Sequence, residues 1–137
     1  MVAIVDTSAL LAYFNRDDPQ HLAVSHAFEG DPEPPVASPY VIAELDYLMT
    51  RRWGVDRELA VIEEIASGAW ELPAIDASDL SRAARVVERY RDQAIGITDA
   101  SIVVLADRYH TRTVLTLDRR HFDVLRPLSG GRFNVLP

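Results

Sequence analysis

Apolar positions along the chain fall into short runs separated by longer stretches of helical spacing. Residues 2–5 form an unbroken apolar, β-branched run, the pattern of a strand buried on both faces. Residues 36–37, 70–75 and 113–117 predict three more strands, and an alternating segment over 132–136 follows the Gly130-Gly131 turn. Between them the pattern turns helical. Asp6-Thr7-Ser8 offers caps for a helix over 9–14, Asp18-Pro19 opens a second that Gly30 closes, and Ser38-Pro39 caps a third reaching about residue 51. Trp53-Gly54 interrupts the pattern, and Asp56 caps a fourth helix that ends at Gly68. A fifth runs over about 78–91, with Leu80, Ala83, Ala84, Val87 and Tyr90 at helical spacing, and Thr98 caps a sixth that ends near Tyr109.

Strands alternating with helices predict an α/β fold: a short, mainly parallel central sheet of about four or five strands, flanked by helices on both faces. In such sheets chemistry sits beyond the carboxyl ends of the strands. The one stiff connection, residues 30–35, is too short to separate domains, so 1–137 reads as a single domain.

Composition narrows the chemistry. The chain has 137 residues, 48% apolar and 26% charged, enough for a real core. All 14 basic residues are arginine, against 21 acids, for a net charge of −7. That argues against a uniformly basic nucleic-acid binder. Without lysine there is no Schiff-base chemistry and no P-loop lysine; without cysteine there is no thiol nucleophile, disulfide or zinc–thiolate site. The charge is uneven: residues 1–99 hold eight arginines and 18 acids, net −10, whereas residues 100–137 hold six and three, net +3. The asymmetry hints at a polyanion contact toward the C-terminus. The opening residues lack a basic n-region and the longest apolar run, 9–14, is far too short to span a bilayer, so a cytoplasmic protein with no membrane partner is expected.

Two carboxylates stand where a parallel α/β sheet places its chemistry, and two more lie on helix faces. Asp6 ends the first strand and Asp118 follows the strand over 113–117. Asp99 shares a helix face with Ile102, Val103 and Ala106, and Glu44 borders the apolar stripe of Val41, Leu45 and Leu48. Taken singly, Asp6 and Asp99 also read as helix caps, Asp118 as a turn opener, and Glu44 as a partner for Arg51 or Arg52. Taken together, with no lysine to neutralise them, they form an all-oxygen donor set suited to Mg²⁺ or Mn²⁺. Such a site orients water and stabilises charge on a phosphate.

The same residues carry a family likeness. Val5-Asp6-Thr7-Ser8-Ala9-Leu10 resembles the opening of PIN domains, above all the VapC-type toxins of bacterial toxin–antitoxin pairs. Ala43-Glu44-Leu45 resembles their internal glutamate, and Gly96-Ile97-Thr98-Asp99-Ala100 their glycine-led Asp-Ala helix start. Thr116-Leu117-Asp118-Arg119-Arg120-His121-Phe122 resembles their final Thr-x-Asp segment, with one extra residue before Phe122. The resemblance implies a PIN-like fold and a Mg²⁺- or Mn²⁺-dependent endoribonuclease. It would be the toxin of a toxin–antitoxin pair, cutting structured RNA at a single-stranded loop by metal-activated water. Carried over, Asp6, Glu44, Asp99 and Asp118 are the catalytic quartet; Asp6, Asp99 and Asp118 hold metal; Thr7, Ser8 and Thr116 supply hydroxyls. Implied partners are an RNA substrate, a cognate antitoxin and a second copy of the chain. Residues 38–47 and the Arg126-Pro127-Leu128 and Gly130-to-Phe133 end resemble the subgroup that cuts the sarcin–ricin loop of large ribosomal RNA, favoured here over transfer RNA.

Arg112, Arg119, Arg120 and His121 are the candidates for RNA contact around Asp118. Tyr13, Phe14 and Phe122 are candidates to stack bases, with the core as their other reading. The rivals fail on particular residues. A phosphoryl-aspartate receiver needs a lysine, a haloacid-dehalogenase-type phosphatase needs an acid where Ser8 stands, and a serine hydrolase needs a Gly-x-Ser-x-Gly elbow. His21 and His26, five apart, do not share the helix face a zinc pair needs. The alternative that survives is a catalytically inactive PIN-like module that grips RNA or a protein.

Overall fold

Four strands lie side by side in the order β2-β1-β3-β4, every pair parallel, in a computed structural model that describes residues 2–137. They are β1 (Ala3–Val5), β2 (Val36–Ala37), β3 (Thr113–Leu115) and β4 (Asn134–Leu136). The first three are buried along their whole length, as their apolar runs require, while β4 lies at an edge and is partly exposed. In register, Ile4 stands beside Val36 and Val114, and Leu115 beside Val5 and Leu136. All carboxyl ends therefore open on one edge.

The expected strand over 70–75 does not form. Only Glu71 pairs, bridging Val36 through Glu71 N to Pro35 O (2.9 Å) and Ala37 N to Glu71 O (3.0 Å). Pro73 has no N–H to extend that ladder. Trp70 instead packs in an aromatic cluster with Tyr13, Phe14 and Phe28.

Seven α-helices flank the sheet: α1 (Thr7–Tyr13), α2 (His21–Glu29), α3 (Pro39–Trp53), α4 (Val55–Ala66), α5 (Ala77–Arg89), α6 (Ile97–Arg108) and α7 (Arg119–Val124). Several starts differ from expectation for local reasons. Asp18 Oδ1 accepts from Gln20 N, holding a turn through Pro19 that delays α2 to His21. Gly54, at φ +86°, both ends α3 and precedes α4, so Asp56 falls in the first turn instead of capping it. Asp76, not Ser78, begins α5 through a reciprocal capping box with Asp79. Gly96 stands at the N-cap of α6, and Thr98 lies inside its first turn. The helix α7 is not among the expected elements; it is short, and only Phe122 of it is buried, against Phe133.

The core runs through α6. Seven successive residues, 100–106, are buried because the helix packs on β1, α3 and α5 at once. That central position fixes where its first turn, with Asp99, meets the sheet.

Candidate active site

Beyond the carboxyl edge of the sheet lies a cleft of about 540 Å³, lined by Asp6, Thr7, Ser8, Glu44, Asp99, Asp118 and His121 among others, with no arginine. Each acid arrives on a different element. Asp6 follows β1, Glu44 rides on α3, Asp99 sits in the first turn of α6, and Asp118 stands just before α7.

The two central strands are tied together there by side chains distant in sequence. Asp6 N donates to Leu115 O (2.8 Å) and Thr116 N to Leu136 O (2.9 Å), carrying the ladder one residue past the strands. This brings Thr116 Oγ1 to Asp6 Oδ2, to which it donates at 2.7 Å. Thr116 Oγ1 accepts from Asp118 N (2.9 Å), and Ser8 Oγ accepts from Leu117 N (2.9 Å) while lying 3.2 Å from Thr116 Oγ1. Asp6 Oδ1 also accepts from Thr7 N at 2.8 Å, so the residue is a helix cap as well as a site acid. Ser8 and Thr116 thus fix the carboxylate of Asp6 and the backbone of Asp118. Thr7 contributes its backbone N–H, and its buried hydroxyl has no hydrogen-bond partner among the described residues.

A second link aligns α3 with α6. Ser38 Oγ and Ser101 Oγ are 2.7 Å apart, and Ser101 donates its own proton to Thr98 O (2.7 Å), so Ser38 is the donor between them. Ser38 Oγ also accepts from Tyr40 N (3.2 Å) as the cap of α3. The pair ties α3, which carries Glu44, to α6, which carries Asp99. Sequence reasoning missed the role of Ser101; a lone hydroxyl inside the apolar stripe of α6 was its signal.

Electrostatics mark the cleft as charge-strained. Burial pushes the Asp6 carboxyl above its ordinary pKa, its bonds from Thr116 and Thr7 oppose the shift, and Glu44 and Asp118 add to it. Asp99 is pushed up to about 6, first by burial and then by the charge of Asp6, with His121 opposing and Asp118 and Glu44 adding. His121 Nδ1 lies 2.9 Å from Asp99 Oδ2 and 3.4 Å from Asp118 Oδ2. Glu44 is exposed and pairs with neither Arg51 nor Arg52; Arg51 instead bonds the Tyr47 hydroxyl.

The remaining candidates divide. Arg120 is exposed at the rim, Nε 3.9 Å from Asp118 Oδ1. Arg119 is turned to the last strand, its Nη2 bonded to Pro137 O (2.6 Å). Arg112 is not at this site. It precedes β3, at the opposite edge of the sheet, where its guanidinium lies against Gly131. Tyr13, Phe14 and Phe122 belong to packed aromatic clusters and do not line the cleft.

As a donor set the cleft fits a hard divalent cation: carboxylates and hydroxyls, no sulfur, no competing arginine. The acids are not drawn into a closed shell. Among the described residues, no group of three acidic or histidine side chains stands close enough to hold an ion. His121 stands between two of them, its Nδ1 within reach of both Asp99 and Asp118.

A parallel α/β sheet with an acidic cleft at its carboxyl edge defines a class, and comparison with known proteins gives it a family. Residues 3–126 match the PIN domain family. The chain is 60% identical over 134 residues to Ribonuclease VapC26 of Mycobacterium tuberculosis, covering 98% of this chain and 99% of that protein. The chain therefore belongs to the PIN-domain family, among its VapC ribonucleases. Solved structures share the fold. VapC20 of Mycobacterium tuberculosis, a sarcin–ricin loop cleaving toxin, superposes with a TM-score of 0.84 at 20% identity over the full length of both chains. The VapBC2 complex of Rickettsia felis, bound to promoter DNA, gives 0.72 at 16% identity, again over both full chains.

Proposed function

We propose that this chain is a Mg²⁺- or Mn²⁺-dependent endoribonuclease, the toxin of a toxin–antitoxin pair, acting at the cleft of Asp6, Glu44, Asp99 and Asp118. The observation that carries the reading is the cleft itself: four carboxylates from four elements, with no lysine or arginine among its lining residues. Asp6, Asp99 and Asp118 would hold the ion, which when bound would activate a water and neutralise charge on the scissile phosphate.

The chain's own residues do the rest. Thr116 and Thr7 N–H aim the Asp6 carboxylate, and Ser8 and Thr116 together pin the backbone before Asp118. Glu44, free of ion pairs at the cleft wall, orients water. Arg120, exposed at the rim, meets a phosphate of the RNA. The preferred substrate is the sarcin–ricin loop, a reading supported by the sequence likeness and by the activity named for VapC20. The partners are a cognate antitoxin and a second copy of the chain, in the cytoplasm. No helix among the described residues is long and apolar enough to cross a membrane.

The test is incubation of antitoxin-free protein with total RNA, with Mg²⁺ or Mn²⁺ and with chelator. Cleavage that needs the ion supports the reading. Intact RNA in every arm, with RNA still bound, overturns it in favour of an inactive binding module.

A further inference from the structure

On the flank of the molecule, away from the acids, a second cavity of about 200 Å³ is lined by Arg82, Arg85, Arg89 and Arg126 around a floor of Val86, Val103 and Leu128, with Tyr90 at one side. It holds four of the chain's 14 arginines and no acid, in a protein of net charge −7. Arg82, Arg85 and Arg89 stand at helical spacing on one face of α5, an arrangement of like charges that costs stability unless something anionic meets it. Among the described residues, only Arg82 of the four has a carboxylate partner, Asp107 at 2.5 Å. Arg85 bonds Ser81 of its own helix, and Arg126 bonds the carbonyls of Asp123 and Leu125, so both are oriented without being neutralised. Tyr90 is fixed too, its hydroxyl accepting from Arg126 N at 3.1 Å.

Two segments run from this cavity to the acidic cleft along the chain: Tyr90 leads through a 3₁₀ turn, Arg91–Gln93, to Ala94 and Gly96 of the cleft wall, and α7 joins Asp118 to the stretch before Arg126. The volume is below that of a drug-sized ligand site. Guanidinium groups over a small apolar floor with one aromatic ring match an unstacked nucleotide, its phosphate on the arginines and its base on the floor.

We propose that the Arg85–Arg89–Arg126 cavity is a substrate-binding subsite that holds a nucleotide of the RNA outside the cleavage point. The inference rests on the ribonuclease reading and adds to it a place where affinity, not chemistry, is supplied.

The test uses the full chain in an Asp6→Asn parent, so that RNA is bound but not cut. Affinity for a short unstructured RNA oligonucleotide is measured by fluorescence anisotropy across a salt series, with and without Arg85→Gln/Arg89→Gln. Both arginines are exposed, so the fold is undisturbed. The expected result is roughly tenfold weaker binding, with the salt slope reduced by about 1.4 for two lost contacts. The corresponding lysine pair should recover most of the slope. In the active protein the glutamine pair should raise KM and leave kcat unchanged. Equal affinity and slope in parent and variant overturn the subsite alone. Unchanged RNA binding with loss of the antitoxin, or with a change of oligomeric mass, overturns it in favour of a protein partner. A parent that binds neither this oligonucleotide nor a sarcin–ricin loop hairpin overturns the ribonuclease reading, and the subsite with it.

Discussion

Asp99→Asn should make the metal-free protein more stable while abolishing its activity. The carboxyl of Asp99 is raised from 3.8 to about 6, with a side chain only 15% exposed. A raised carboxyl binds its proton more tightly in the folded than in the unfolded state. Stability contributed by the neutral form is therefore complete below about pH 4 and is lost as pH rises through 6. At about 1.4 kcal/mol per pKa unit, the loss at neutral pH is at most about 3 kcal/mol, reduced by the solvent that enters the open cleft. Asparagine keeps the shape, cannot ionise, and still offers an amide oxygen to His121. Weakening the contact with that ring offsets some of the gain, which leaves about 1–3 kcal/mol, or up to roughly 10 °C in Tm for a chain of this size. The assay is thermal unfolding by circular dichroism in chelator between pH 4 and pH 8. The variant should unfold at a higher temperature at pH 7.5, with the gap closing toward pH 4. Added Mn²⁺ should then raise the wild type far more than the variant. A variant no more stable than wild type at pH 7.5, or an advantage that does not change with pH, would refute the claim that the cleft is strained by its own charge.

Other outcomes follow from the same geometry. Thr116→Val removes the donor to Asp6 and should weaken metal affinity about 10–100-fold, read by titration calorimetry, at a cost near 1 kcal/mol of stability. Ser38→Ala loses the cap of α3 and its bond to Ser101, and chemical denaturation should show a loss of about 1–2 kcal/mol. Under the proposed metal site Asp99 sheds its proton to bind the ion, so kcat/KM should rise with pH through about 6 and level off above it, in a profile taken at fixed metal concentration.

Much of the site is legible in the sequence because its acids lie at the ends of local patterns. Asp6 ends an apolar run and caps a helix, and both roles hold at once because the strand stops where the helix begins. Asp99 on the buried face of α6 follows from helical spacing alone. Contacts that join distant segments are not legible. Thr116 meets Asp6 only because β1 and β3 are paired in register, and no local pattern encodes that pairing. Arg112 is misplaced by sequence because nearness along the chain is not nearness in a strand: three residues of β3 carry the chain from one edge of the sheet to the other. The stretch 70–75 resembles a strand by its apolar content, yet Pro73 denies it a ladder. His121 reads as an RNA contact from sequence; the unexpected α7 places its ring between two carboxylates, a position the sequence does not encode. The flanking arginine cavity needs the fold as well, since Arg126 reaches α5 only by way of α7.

RNA cleavage by the acidic cleft can be read by mapping new RNA 5′ ends after brief expression of the wild-type chain and of Asp6→Asn. The wild type should give a discrete new end within one exposed loop, the sarcin–ricin loop, and the variant should lose it by more than about 100-fold. The same new ends in both strains, or none in either, would contradict it.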